Sequence, residues 1–599
     1  MKKTFTRLND EQVQTKINFI DQYINAANAA SGSLLDQNAN VAHKNIATLS
    51  SELCKDINIQ INRKLVHKKI EKLFSKELAN EYIRQLESHE IYTHDESSIF
   101  PYCASISLYP FLLDGLIKLG GESKAPQHLE SFCGSFINLI FAISSQFAGA
   151  VAAVEFLLYF DYFAQKDYGY NYLEKHKNII DNCLQHIIYS INQPAAARGY
   201  QSIFFNISIY DEYYFNSLFG DFCFPDEKFT KADYTSVKKL QEYFMEWFNK
   251  ERTKAILTFP VITAAMLIEN DEPKDKDFTN MCAKELSEGN SFFVYMSESA
   301  DSLASCCRLR NEFTDNTFSY SLGAGGVSTG SINVITLNMN RLIQDKRDLK
   351  TEIEKIQLYQ VAHRSLIEDY QKNGMLTVYD AGFISLEKQF LTIGINGMVE
   401  AAEYLGYTIS DNNDYKNFVA DNLKIIYDAN KEAKLKYGYM FNTEFVPAEN
   451  LGVKNAEWDR KDGYFVPRDC YNSYFYIVED DSINHLDKFF LHGKEMIRYL
   501  DGGSALHLNL EQNLSKEAFK KLFNVAAKSG CNYWCSNIKI TICNDCEHIS
   551  KKTEYSCAKC NSKNIDHATR VIGYLKKISS FSNGRQKEAH LRHYHKNNS

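Results

Sequence analysis

Apolar residues recur at helical spacing near the start of the chain, where Val13, Ile17, Ile20 and Ile24 fall on one stripe and only the Gly32 region breaks the pattern. This predicts a helical region over residues 1–90. From about Tyr92 to Tyr533, short β-rich runs alternate with helical ones: Ser331 to Leu337 reads as a buried strand and Gly397 to Leu405 as a helix. Such alternation predicts an α/β architecture. The stretch from Ser131 to Val154 is uncharged and long enough to suggest a membrane span. Asn138, Ser144, Ser145 and Gln146 interrupt it, and Glu155 and Asp161 follow closely, so the expectation is a buried helix pair. Without repeats, low-complexity tracts or proline-rich linkers, residues 91–530 are expected to form one large domain.

Composition adds bounds. Apolar residues make up 44% and charged residues 24% of the 599 positions, which suits a globular chain with a substantial core. Lysine and arginine number 67 against 75 acidic residues, a formal charge of -8. That balance gives no general attraction to a nucleic acid polymer or an anionic membrane, so an anionic ligand must meet a local site. Met1 to Asp21 is charged and polar where a signal peptide would be apolar, and a cytoplasmic location is expected. Fifteen cysteines then argue for metal or redox chemistry over a disulfide framework.

Six of those cysteines fall between Cys531 and Cys560. Cys543 with Cys546, and Cys557 with Cys560, form two CxxC pairs separated by ten residues. Two such knuckles supply four thiolates to one tetrahedral zinc ion, and a closed four-sulfur site has no open position for catalysis. A structural zinc ribbon over 531–566 is expected. Cys531 and Cys535, in the sequence CNYWC, fit a packed strand equally well and stay unassigned.

Beyond the ribbon comes Arg570-Val571-Ile572-Gly573-Tyr574-Leu575, then the polar run Ser582 to Glu588. Alone, Gly573 reads as a turn glycine. Earlier, Ser305-Cys306-Cys307-Arg308-Leu309-Arg310 precedes a stretch with Gly323, Gly325, Gly326 and Gly330, and then the Ser331 strand. Earlier still, Ile91-Tyr92-Thr93-His94-Asp95-Glu96 leads to Pro101-Tyr102-Cys103. Together these segments resemble the radical loop, finger loop and first barrel strand of the anaerobic, class III ribonucleotide reductases, which are glycyl radical enzymes. Further similarity runs through Ala125 to Leu129, Phe147 to Ala150, Thr392 to Gly397 and Pro447 to Asn450.

The resemblance implies a ten-stranded α/β barrel with a central finger loop, an N-terminal helical region, a C-terminal zinc ribbon, and a glycyl radical loop and tail over 567–599. It implies oxygen-sensitive reduction of ribonucleotides to 2′-deoxyribonucleotides. Gly573 would store the radical, since a Cα without a side chain can flatten and share the unpaired electron with its flanking amides. Cys307 would carry the transient thiyl radical, Cys103 would donate hydrogen, and Cys306 would be an additional redox thiol. Pro447, Ala448, Glu449 and Asn450 resemble a substrate-side turn where backbone N–H groups receive phosphate. The implied partners are an activase using S-adenosylmethionine and an iron–sulfur cluster, formate or a redoxin as reductant, a dNTP or ATP effector, and a second copy of the chain.

Departures bear on the reductant. Ser305 and Cys306 stand where many members have methionine and glycine, and no asparagine accompanies Gly330 and Ser331, although Asn333 lies nearby. This leans toward a redoxin. Two other readings stay open: a different glycyl radical enzyme such as a pyruvate formate-lyase-like acyltransferase, and a non-catalytic zinc-ribbon binding protein. The basic tail after Lys576 reads as a solvated terminus.

Overall fold

The computed structural model describes residues 7–33, 35, 41, 43–195, 201–228, 230–300, 302–304, 310–312, 328–445 and 450–595. Ten staves form its centre. In chain order they are β1 (Cys103–Ser105), β2 (Val151–Ala152), β3 (Phe205–Tyr210), β4 (Val261–Glu269) and β5 (Phe293–Ser297). The second set comprises β6 (Thr329–Asn338), β7 (Gln389–Asn396), β8 (Met440–Phe445), β9 and β10 (Tyr533–Ile538). Stave β9 runs as Gly503–Ser504 and, after the single residue Ala505, as Leu506–Leu510.

Each set is parallel within itself, and the sets meet antiparallel where β1 pairs with β6 and β5 with β10. The first part of β9 pairs with β8 and the second part with β10, so the sheet closes on itself through this one stretch. Eleven strands along the path are therefore ten staves of a barrel. Around the ring the order is β1, β2, β3, β4, β5, β10, β9, β8, β7, β6. β5 and β6, consecutive along this series, sit five places apart, on opposite walls.

Side-chain alternation sets what faces the lumen. The Phe205 ring packs against Phe136 on the helix Leu129–Ser144, outside the barrel, so its neighbour Asn206 points inward. Thr443 accepts a hydrogen bond from Asn430 on the outer helix Asn413–Tyr437, which turns Asn442 inward. The outer layer of helices makes the staves apolar on one face while the lumen is polar.

The N-terminal region is helical as expected, with helices Asp10–Asn25, Ile46–Leu73 and Lys76–Glu87. Its first apolar stripe is not core: Val13, Ile17 and Ile24 are exposed. Ser131 to Val154 is not a helix pair but nearly all of one helix, Leu129–Ser144, followed by the stave β2, because Ser145 and Gln146 form the turn into the sheet. No helix among the described residues is long and apolar enough to cross a membrane.

After β10 comes a separate sheet of four short strands: β11 (Ile540–Cys543), β12 (Ile549–Ser550), β13 (Ile565–Thr569) and β14 (Lys576–Lys577), in the order β12, β11, β13, β14. The ribbon sheet thus begins at Ile540, and Cys535 lies on the last barrel stave.

Candidate active site

Thr569 pairs with Lys576 and Ala568 with Lys577, so residues 570–575 form the tip joining β13 to β14. This tip enters the barrel core. Val571, Ile572, Gly573 and Tyr574 are buried, and the Tyr574 ring meets Phe204 edge-on at 5.0 Å and Phe259 at 5.7 Å. Polar anchors fix the loop. The Arg570 guanidinium donates to the Gly573 carbonyl at 2.9 Å and to Ser291 Oγ and O at 3.0 and 3.1 Å, while its charge lies over the Phe293 ring. Asn537 on β10 accepts from Arg570 N and donates to Arg570 O.

The tail completes this hold. Arg592, 3% exposed, donates to the carbonyls of Arg570 at 2.9 Å and Val571 at 3.1 Å, and pairs with buried Glu588. Glu588 also pairs with buried Arg585, and the two guanidinium groups hold its carboxyl below the usual range despite burial. The solvated terminus expected from the basic composition is therefore a buried clamp, because its cations find carboxylate and carbonyl partners beneath the loop.

Cys103 is fully buried on β1 opposite Ser331 of β6. Its carbonyl accepts from Gln389, which in turn accepts from the Tyr379 hydroxyl. A Cβ placed on Gly330 would lie 2.1 Å from that carbonyl, so only glycine allows β6 to approach here. Cys103 and Ala150 pack with Phe204, the ring that also meets Tyr574. One aromatic side chain thus bridges Cys103 and the residue after Gly573.

Cys306 and Cys307 lie outside the described residues. They belong to the connection from β5 to β6, within which Ser302–Ala304 pairs antiparallel with Arg310–Glu312. Pro447, Ala448 and Glu449 also lie outside the described residues, whereas Asn450 directly precedes the helix Leu451–Lys461 and accepts from Ser582 Oγ at 2.7 Å. His94 bonds to Thr336 Oγ1 at 2.8 Å.

The four ribbon cysteines converge. Their sulfurs all lie within 4.8 Å of one another, with Cys543–Cys560 and Cys546–Cys557 each at 3.6 Å. A zinc–sulfur bond of about 2.3 Å makes the sulfur–sulfur edge of a tetrahedron about 3.8 Å, whereas a disulfide would need about 2 Å. The donor set fits a structural zinc ion. Cys543 pairs with Ile565 in the sheet, so this cluster anchors the strand that leads to Gly573.

Sequence reasoning missed the lumen amides. Asn206 and Asn442 are 4% and 0% exposed, and neither amide oxygen nor nitrogen has a hydrogen-bond partner. They sit on β3 and β8, five places apart in the ring and so on opposite walls. Their signal was a polar residue inside an apolar strand, visible only once the inward face is known. Cys535 also stands on the wall, with burial pushing its thiol up to about 12 against the opposing pull of Arg570 and Arg592.

A family model described as anaerobic ribonucleoside-triphosphate reductase matches residues 52–595. A solved structure described as an anaerobic ribonucleotide reductase is 25% identical, with a TM-score of 0.85 over 98% of this chain and 93% of that one. The anaerobic ribonucleotide reductase from Thermotoga maritima, solved in complex with dATP and CTP, is 25% identical, with a TM-score of 0.81 over 98% of this chain and 100% of that one. Hydroxyproline dehydratase from Clostridioides difficile shares the fold alone, at 10% identity and a TM-score of 0.50 over 99% and 100% of the two chains. No curated protein matches. With the barrel, the cysteine cluster and a match over most of its length, the chain belongs to the anaerobic ribonucleoside-triphosphate reductase family.

Proposed function

We propose that the chain reduces ribonucleoside triphosphates to 2′-deoxyribonucleotides by radical chemistry, with Gly573 as the radical store and Cys307 as the transient thiyl radical. The observation that carries this reading is the buried loop tip: Gly573 sits inside the barrel, and its neighbour Tyr574 shares the Phe204 ring with Cys103.

A separate activase, using S-adenosylmethionine and an iron–sulfur cluster, removes a hydrogen atom from Gly573. The Gly573 radical takes the hydrogen atom of the Cys307 thiol, and the thiyl radical takes the 3′-hydrogen of the ribose. The 2′-hydroxyl leaves as water after gaining a proton. Cys103 delivers hydrogen to the 2′ carbon, and formate or a dithiol redoxin supplies the remaining reducing equivalents, with Cys306 as an additional redox thiol. Return of the 3′-hydrogen restores the Cys307 radical. Burial of every described participant excludes water and side reactions from these steps.

The segment Pro447, Ala448, Glu449 and Asn450 receives the phosphate at the start of the helix Leu451–Lys461. Asn206 and Asn442 supply the unpaired amides that meet the polar edges of the nucleoside. The four-cysteine cluster holds zinc and gives the radical loop a rigid base. A dNTP or ATP effector is proposed as well, since one T. maritima relative was solved with dATP bound in its specificity site.

The test is anaerobic activation with a radical S-adenosylmethionine activase, electron paramagnetic resonance, and a product assay with CTP that compares formate with a redoxin. A glycyl doublet followed by deoxynucleotide formation is expected. Activated protein that yields no deoxynucleotide overturns the reading and leaves the acyltransferase alternative.

A further inference from the structure

Between the barrel floor and the ribbon sheet lies a cavity of about 30 Å³ lined by Arg252, Lys551, Asn513 and Ser536, with Leu575 of the radical loop closing one side. Two cations meet here with no carboxylate among the described residues hydrogen-bonded to either, and only Lys551 feels nearby acids, Glu285 and Glu288. Arg252 is 4% exposed, and its guanidinium donates to the Ser291 carbonyl at 2.7 Å and, at 3.4 Å, to Leu257 O and Asn290 Oδ1, all neutral acceptors. Its Nη2 has no partner, nor have Ser536 Oγ and Asn513 Oδ1. Lys551 reaches Asn249 Oδ1 and the Glu288 carbonyl, again neutral acceptors. Among the described residues no carboxylate forms an ion pair with either cation.

A buried cation without a counter-charge is costly, and arginine cannot escape the cost by losing its proton. Lysine can, and burial with Arg252 alongside pushes Lys551 down to about 8 although Glu285 and Glu288 pull the other way. The site is also shaped for Lys551. Gly289 has φ +82, and a Cβ there would lie 2.9 Å from Lys551 Cδ and 3.0 Å from Asn513 Nδ2. A left-handed glycine thus makes room for a cation to enter a place that already holds one.

We infer that this cavity binds a compact monoanion, of chloride or formate size, between Arg252 Nη2, Lys551 Nζ and Ser536 Oγ. Room for one or two water-sized groups excludes larger anions such as sulfate. The anion would join Arg252, at the end of the helix Tyr234–Glu251, and Ser536 of β10 to the ribbon residue Lys551, two residues' reach from Gly573 through Leu575. It would thereby set how firmly the radical loop is seated, a role separate from the reductase chemistry.

The experiment is thermal unfolding of the full-length, zinc-loaded chain at fixed ionic strength, with chloride, formate or sulfate replacing a bulky organic anion. The melting midpoint is expected to rise saturably with chloride or formate, as linkage to a discrete site requires, and without saturation for sulfate. Lys551→Met keeps the side-chain volume and is expected to raise the half-saturating concentration about tenfold or more through loss of a charged hydrogen bond. Ser536→Ala serves the same purpose with a smaller change, should the first variant fold poorly. A wild-type midpoint that does not respond, a saturable response to sulfate equal to that of the small anions, or an identical response in both variants overturns the site.

Discussion

Arg570 donates to the carbonyl oxygen of Gly573 from three residues earlier in the chain, and the same guanidinium is tied to Ser291 at the foot of β5. The loop is held through its backbone, at the carbonyl of Gly573. Arg592 performs the same service for the two residues that open the loop.

Breaking that clamp is therefore expected to be expensive. Arg592→Leu leaves Glu588 paired with Arg585 alone and takes the donors from the Arg570 and Val571 carbonyls, at a cost of about 1–3 kcal/mol. The melting temperature should fall, and the glycyl signal after activation should decay faster than in wild type. A variant with unchanged melting and an unchanged radical lifetime contradicts the clamp.

Cys103→Ser tests the hydrogen donor. The side chain is fully buried and serine is nearly its size, so the fold and the glycyl doublet should persist while deoxynucleotide formation falls to background. Retained turnover in the activated variant removes Cys103 from the reaction.

For the ribbon, Cys543→Ser is expected to lower zinc from about one ion per chain, since three thiolates make a weaker tetrahedral site than four. Radical formation should suffer more than nucleotide binding, because β11 pairs directly with the strand entering the loop. Metal analysis together with spin counting decides it.

The lumen amides make a prediction in two directions. Asn442→Leu removes a buried polar group that has no partner in the free protein, so the unliganded chain should melt at the same or a higher temperature. Its affinity for CTP should fall about tenfold or more if the amide meets the nucleotide. Calorimetry on both variants of the pair, Asn206→Leu included, reads the two effects separately, and lower melting with unchanged affinity would mark a structural role.

Glu155 sets a pH dependence. Burial pushes its carboxyl up to about 8, against hydrogen bonds from Leu108 N and Ser107 that lower it. A folded-state value above the unfolded one means that the native state holds the proton more tightly. Its contribution is then fully present below the ordinary carboxylate range and is lost as pH rises toward 8. Glu155→Gln should flatten this decline between about pH 5 and 8 and leave the variant more stable than wild type at the alkaline end. Urea unfolding across that range measures the slope.

Local chemistry made much of this legible in the sequence. The four-cysteine spacing names its own cluster, and the strand at Ser331 and the helix at Gly397 follow from periodicity. What escaped depends on long-range placement. The tail carrying Arg585 and Arg592 reads as basic and hence solvated until Glu588 and the loop carbonyls are brought beneath it. Asn206 and Asn442 look like ordinary polar positions until the ring order sets them on facing walls. Ser131 to Val154 showed its apolar content but not its division between a helix and a stave, since both are largely buried.

Because Gly503–Ser504 and Leu506–Leu510 serve two neighbours from one stretch, the ring of ten staves has no outermost member. A row of unpaired backbone groups is what templates the addition of a foreign strand, and thus cross-β association. The single-residue interruption at Ala505 therefore does more than complete an enclosure: it withholds from other polypeptides the selvedge on which they could knit.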